Sequence, residues 1–113
     1  MRVHASVFAQ ESQDWKSGLS KLELLNVFYI HLDITDANLM MAKDVLAHLK
    51  EDGRFIVEIH AVLTNPDDLW PILVDCPISC VYFQAEDLSS DPFENIPSSY
   101  QGVKKGLAYR WTS

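Results

Sequence analysis

Strand-like segments recur along this chain at nearly constant intervals, with other segments of similar length between them. Runs rich in β-branched and aromatic residues predict strands at residues 2–8, 27–34, 55–63, 79–85 and 106–111. Equivalent positions of successive strands are 24 to 29 residues apart, which is about the length of a strand, a helix and two loops. This interval predicts an α/β fold of consecutive βαβ units with right-handed crossovers and a parallel sheet.

The segments between the strands carry helix signals of different strength. Residues 12–26 have a stripe of large apolar residues at helical spacing, Trp15, Leu19, Leu22 and Leu25. Residues 38–50 have a second stripe, Met41, Val45, Leu46 and Leu49, and Gly53 is placed to end that helix. Asn65 and Pro66 predict the start of a third helix, which Pro71 should keep short. Residues 88–102 predict a loop with one or two turns.

The composition is that of one globular domain, and we expect residues 1–113 to form a single (β/α) domain. The net charge of −7 argues against a nucleic-acid partner or an anionic membrane, because either requires a concentrated basic face. No apolar run reaches the roughly 18 residues of a membrane span, and the first ten residues lack a signal-peptide pattern. A cytoplasmic location is the expectation.

Polar residues suited to metal binding interrupt two of the predicted strands. In a strand, residues two apart share a face, so His31 and Asp33 project together while Ile30 and Leu32 project the other way. His60 follows one βαβ unit later. Two imidazoles and a carboxylate on neighbouring strands would form a ligand set for a divalent transition metal.

Each of these residues also has a purely structural interpretation. A histidine in a strand is often a hydrogen-bonded core residue, and Asp33 could simply pair with His31. Glu58 and Glu86 are interpreted as polar residues of a barrel interior, and Ser6 as a small packing residue. The two cysteines, Cys76 and Cys80, are expected to be buried thiols.

Four sequence motifs together resemble one known family. Residues 29–37 match the pattern Y-I-H-x-D-x-M-D-G, and residues 59–67 match V-H-L-M-x-x-N-P-D. Residues 5–8 echo P-S-I-L, and residues 83–86 echo F-H-x-E. On these matches, which extend over nearly the whole chain, the sequence resembles the N-terminal part of the ribulose-phosphate 3-epimerase family, whose members are metal-dependent (β/α)8 barrels.

The resemblance implies a reaction and residue roles. It implies that His31, Asp33 and His60 bind a divalent metal ion of the Zn, Mn, Fe or Co type, that Asp33 is also a catalytic acid/base, and that Ser6 contacts the substrate. The implied substrate is a pentulose or related ketose phosphate. Its C3 proton would be removed on one face and returned on the other through an enediolate, an anion that a metal ion stabilises.

The departures from the family pattern limit these expectations. The chain ends at Ser113 after its fifth predicted strand, whereas the family has eight strands and carries a fourth metal ligand, a second catalytic aspartate and phosphate-binding loops on the last three. Thr35, Ala37 and Gln84 replace motif residues, and Arg110 and Trp111 replace the usual Asn-Pro. We therefore expect a truncated, TIM-barrel-like half barrel that carries the N-terminal metal half-site and is inactive alone.

A half barrel leaves sheet edges and an inner face uncovered, which predicts a homo-oligomer.

Two alternatives to an epimerase remain open. One is a sugar-phosphate decarboxylase or synthase of the same barrel superfamily, and the other is a non-catalytic half barrel used for assembly or ligand binding.

Overall fold

A computed structural model describes residues 15–26, 28–84 and 91–108. Its helices are α1 (Trp15–Leu24), α2 (Leu39–Asp52) and α3 (Leu69–Ile72), with 3₁₀ turns at Pro66–Asp68 and Ser98–Tyr100. Its strands are β1 (Tyr29–Thr35), β2 (Ile56–Val62), β3 (Cys80–Gln84) and β4 (Lys104–Ala108). All three strand pairs are parallel, in the order β1-β2-β3-β4. This arrangement confirms the predicted parallel α/β fold and is consistent with part of a TIM barrel.

Some of the sequence predictions fall outside the described residues. The strand predicted at residues 2–8, which includes Ser6, is one of them. Glu86, Arg110 and Trp111 are also outside the described part of the chain. The structure therefore describes four of the five predicted strands.

The two faces of the sheet differ in chemistry. The outer face is apolar and fully buried, with relative exposures of 0 or 1%, at Ile30, Leu32, Ile34, Val57, Ile59, Ala61, Val81 and Phe83. The inner face carries Tyr29, His31 and Asp33 from β1, Glu58 and His60 from β2, and Tyr82 from β3. This division follows from the two-residue alternation of side chains along a strand, and it confirms the predicted separation of apolar and polar positions.

The helices cover the apolar face of the sheet with their own apolar stripes. Buried residues of the helices are Trp15, Leu19, Leu22, Ala42, Val45, Leu46, Leu49, Leu69, Trp70 and Ile72. The prediction that Leu25 continues the first stripe is wrong, because α1 ends at Leu24 and Leu25 is 71% exposed. The chain turns there, and Asn26 adopts a left-handed conformation with φ of 57°. None of the described helices has the length and apolar character needed to cross a bilayer.

Local signals set the ends of the other helices as predicted. Gly53 ends α2 with φ of 74°, and its N–H donates to the carbonyl of Leu49. The Asn65 side chain accepts a hydrogen bond from the N–H of Asp67, and the turn that follows leads into a single turn of α3. β1 ends at Thr35 and α2 begins at Leu39, while β2 ends at Val62 and the next turn begins at Pro66, so a short loop follows the carboxyl end of each strand.

Candidate metal centre

Two imidazole rings lie side by side on the inner face of the sheet. The ring centroids of His31 and His60 are 3.8 Å apart, and the ring planes are inclined by 31°. His31 is 8% exposed, and the side chain of His60 is 12% exposed. The predicted proximity of the two histidines is therefore observed, in a site largely removed from solvent.

The strand register staggers the two histidines. Asp33 lies opposite His60 on the neighbouring strand, and His31 lies opposite Glu58. The H-x-D sequence of β1 thus runs alongside an E-x-H sequence on β2. Each histidine has a carboxylate two residues away on its own strand and another carboxylate across from it.

Glu58 forms a compact donor group of possible metal ligands together with the two histidines. One ligand atom each from His31, Glu58 and His60 lies within 4.8 Å of the others. Glu58 is only 4% exposed, and its Oε1 atom is 2.9 Å from Nε2 of His60. The hydroxyl of Tyr29 donates a hydrogen bond to the other carboxylate oxygen, Oε2. A possible His/Glu/His metal site is therefore present on this face.

Asp33 lies at the solvent-exposed edge of the same cluster. Its Oδ1 atom is 3.1 Å from Nε2 of His31, and its side chain is 64% exposed. The structure thus brings Asp33 into contact with His31 on the expected face, while the compact donor group contains Glu58 in its place. The ligand set of His31, Asp33 and His60 stays a prediction.

Sequence reasoning missed the role that Glu58 and Tyr29 have in this cluster. We interpreted Glu58 as one of several polar residues of a barrel interior. The signal that could have found it is its spacing, because Glu58 precedes His60 by two residues as His31 precedes Asp33, and both pairs must share a face. Nothing in the spacing alone indicates which of the two carboxylates is buried.

One aromatic residue, Tyr82, bounds the site on the side of β3. The ring of Tyr82 is 5.1 Å from the ring of His60, between centroids. Tyr82 is half-buried and lies over Gly106 of β4. Gln84, where the family motif has a histidine, is also half-buried at the carboxyl end of β3.

Hydrogen bonds hold the backbone and the loops at the carboxyl end of β1. The amide of Asn38 donates to the carbonyl of Asp33 at 2.9 Å and accepts from the N–H of Thr35 at 2.9 Å. The carboxylate of Asp36 accepts from the hydroxyl of Thr64 at 2.7 Å, which ties the loop after β1 to the loop after β2. These hydrogen bonds fix the backbone at Asp33 and in the loop that follows it.

A cysteine lies beside the donor group without belonging to it. Cys80 is the register partner of Glu58, and both it and Cys76 are buried free thiols, as predicted. Burial raises the pKa of the Cys80 thiol, and the nearby Glu58 carboxylate adds to that effect. Cys80 is not part of the compact group of possible ligands, which consists of two imidazoles and one carboxylate.

Comparison with known protein families decides where the chain belongs. The sequence profile of the ribulose-phosphate 3-epimerase family matches residues 2–112. The chain belongs to the ribulose-phosphate 3-epimerase family. This match confirms the resemblance drawn from the motifs, and the family assignment extends over the segment that contains Ser6. Comparisons with curated proteins and with solved structures gave no significant match.

The donor set suits a divalent transition metal. Neutral imidazole is a good ligand for zinc and iron, and carboxylates extend the range toward manganese. His31 and His60 provide two imidazoles within one small cluster, with Asp33 and Glu58 in contact with them. On the chemistry of its donors, the site fits the class of metal expected for the family.

Proposed function

We propose that this chain carries the N-terminal metal half-site of a ribulose-phosphate 3-epimerase. His31 and His60 are the nitrogen ligands, and Asp33 is both the carboxylate ligand and one acid/base group. The observation that carries the proposal is the pair of adjacent imidazole rings, 3.8 Å apart on the inner face, in a chain whose family match spans residues 2–112. A divalent metal ion bound there would stabilise negative charge that develops on the substrate oxygens.

Asp33 is the residue best placed for proton transfer. Its side chain is 64% exposed at the carboxyl end of β1, the end at which ligands bind in parallel α/β barrels. A ketose phosphate can reach it there, whereas Glu58 is buried. The contact with His31 orients the Asp33 carboxylate, and Asn38 holds the Asp33 backbone. Ser6 is proposed to contact the substrate.

Inversion at C3 needs a second acid/base group on the opposite face of the sugar. Of the inner-face carboxylates among the described residues, Glu58 is engaged by Tyr29 and His60, which leaves Asp33 for the chemistry. We therefore propose that this chain does not complete the epimerisation by itself. We also propose that residues 1–113 form one (β/α) domain and that this domain acts in the cytoplasm.

The test is proton exchange without inversion. One acid/base group can remove the C3 proton and return a solvent deuteron on the same face. Ribulose 5-phosphate incubated in deuterium oxide with the chain and Zn²⁺, Mn²⁺ or Co²⁺ should lose its C3 proton signal, without formation of xylulose 5-phosphate. Metal-dependent exchange supports the proposal. No exchange by a metal-loaded chain favours a non-catalytic function, and net formation of xylulose 5-phosphate would contradict the half-site.

A second candidate function is assembly, either in place of catalysis or together with it. Ile56 and Val62 lie at the two ends of β2 on the inner face, and they are 52% and 48% exposed. Exposed apolar side chains on the face that a closed barrel would cover favour contact with another protein surface. We propose a homo-oligomer, most simply a two-fold dimer, in which this face is covered by a second copy.

A further inference from the structure

Glu58 has both of its carboxylate oxygens engaged by side chains of the cluster. Oε2 accepts a hydrogen bond from the Tyr29 hydroxyl on β1, and Oε1 is 2.9 Å from Nε2 of His60 on its own strand. The residue is 4% exposed. A carboxylate so deeply buried is costly unless its hydrogen bonds are satisfied, so these contacts stabilise both its position and its charge.

We propose that Glu58 is a positioning residue that sets the orientation and the tautomer of His60. If His60 donates its Nε2 proton to Glu58, its Nδ1 atom carries the lone pair that a metal ion requires. Tyr29 in turn holds the carboxylate of Glu58 in place. The inference deepens the proposed function and rests on the metal site described there.

Burial distinguishes this assignment from a direct role as ligand or acid/base. Each histidine contacts a carboxylate of its own strand, Asp33 for His31 and Glu58 for His60. The Asp33 side chain is 64% exposed, whereas that of Glu58 is 5% exposed. The exposed carboxylate can meet a substrate, while the buried one has its oxygens occupied by Tyr29 and His60. The two similar pairs therefore have different functions.

The first test measures Co²⁺ affinity from the visible absorption of the bound ion. Removal of a carboxylate that orients a metal-binding histidine typically weakens metal affinity about 10–100-fold, so Glu58→Gln should raise the Co²⁺ dissociation constant by that factor. Tyr29→Phe should weaken it less. Because Tyr29 acts through Glu58, the double variant should bind no more weakly than Glu58→Gln alone. The absorption bands should keep their positions, since the ligand atoms are unchanged.

The second test needs no metal. Long-range ¹H–¹⁵N correlation of the imidazole nitrogens should place the proton of neutral His60 on Nε2 in the wild-type chain. Both Glu58→Gln and Tyr29→Phe should reduce the population of that tautomer. This measurement separates the inference from the proposed function, because the tautomer is read even if the chain catalyses no exchange at C3.

Two matched variants control for loss of structure. Glu51→Gln makes the same change at an exposed position of α2, and it should alter neither the Co²⁺ affinity nor the tautomer. Tyr100→Phe removes a buried hydroxyl that donates to the carbonyl of Cys76. It should lower the free energy of unfolding but change neither the Co²⁺ affinity nor the His60 tautomer. Unchanged Co²⁺ affinity in folded Glu58→Gln would overturn the proposal, and shifted absorption bands would make Glu58 a ligand instead. If Glu58→Gln does not fold, the same two measurements are made on Tyr29→Phe, and an unchanged Co²⁺ affinity together with an unchanged tautomer in that variant would overturn the proposal.

Discussion

The phenol ring of Tyr82 lies directly against the backbone of Gly106 on the adjacent strand. A methyl group built on Gly106 would come within 2.7 Å of Cε1 and 2.8 Å of Cδ1 of that ring, which is closer than carbon atoms can pack. On its other side, the Tyr82 ring faces His60 at 5.1 Å. The absence of a side chain at Gly106 therefore sets where Tyr82 lies beside the candidate metal centre.

Gly106→Ala should consequently destabilise the protein by about 1–3 kcal/mol, the usual cost of overpacking a filled site. Chemical denaturation measures the loss. Gly18→Ala is the matched control, since nothing lies within 4 Å of the added methyl in α1 and alanine favours a helix by roughly 0.5–1 kcal/mol. The cost at Gly106 should disappear in a Tyr82→Ala background. If it persists there, the Tyr82 ring is not its cause.

Metal binding should depend on the two inner-face histidines. His31→Ala and His60→Ala should each reduce the affinity for Zn²⁺ or Co²⁺ by at least about tenfold, because each removes an imidazole donor. Isothermal titration calorimetry measures the affinity. His48→Ala is the control, since His48 is exposed on α2 and contacts Trp15 rather than the site. Equal affinities for the His48 and His60 variants would place the metal elsewhere.

Proton exchange should depend on Asp33. Asp33→Asn should abolish solvent deuterium incorporation at C3 of ribulose 5-phosphate, because an amide cannot exchange a proton with carbon. Nuclear magnetic resonance follows the exchange. Asp44→Asn, at an exposed position of α2, should leave the rate unchanged. A wild-type rate for Asp33→Asn would remove Asp33 from the mechanism.

Stability should fall at alkaline pH. Burial raises the pKa of the Cys76 thiol from 9.0 to about 11 and that of Tyr100 from 10.0 to about 12. The unfolded chain releases these protons at lower pH than the folded chain does, so the free energy of unfolding should decrease as pH rises above about 9. Denaturation at a series of pH values measures this slope. Cys76→Ala should make it shallower between pH 9 and 11, and an unchanged slope would exclude the thiol as a source.

Self-association should depend on the exposed apolar residues of β2. Ile56→Lys or Val62→Lys should shift the chain toward the monomer, because a charged group would then lie in the proposed contact. Sedimentation velocity at micromolar concentration distinguishes the species. Met40→Lys is the control, since Met40 is 70% exposed on α2, away from the inner face. A wild-type chain that sediments as a 12.9 kDa monomer would contradict the proposed assembly.

Features encoded over short stretches of sequence were predicted best. Alternation along β1 placed His31 and Asp33 on one face, Gly53 marked the end of α2, and Asn65 marked the turn before α3. The end of α1 was not predictable in this way, because the apolar spacing continues to Leu25 although the helix stops before it.

The burial of the two site carboxylates depends on packing between distant segments. Asp33 and Glu58 are both acidic residues two positions from a histidine, yet one side chain is 64% exposed and the other 5%. Tyr29 contacts Glu58 across a separation of 29 residues. A pattern within one strand carries no information about such a contact, so the different environments of the two carboxylates required the structure.

The alternation of side chains along β1 and β2 also separates the residues that stabilise the fold from the residues that carry the candidate chemistry. Residues 30, 32 and 34 hold the fold together, while residues 31, 33 and 60 carry the candidate chemistry, and no residue belongs to both groups. Substitutions at residues 31, 33 and 60 can therefore change the chemistry while the helices stay packed on the outer face. A relative can lose its activity and still fold, so activity among such relatives has to be judged from the inward positions alone.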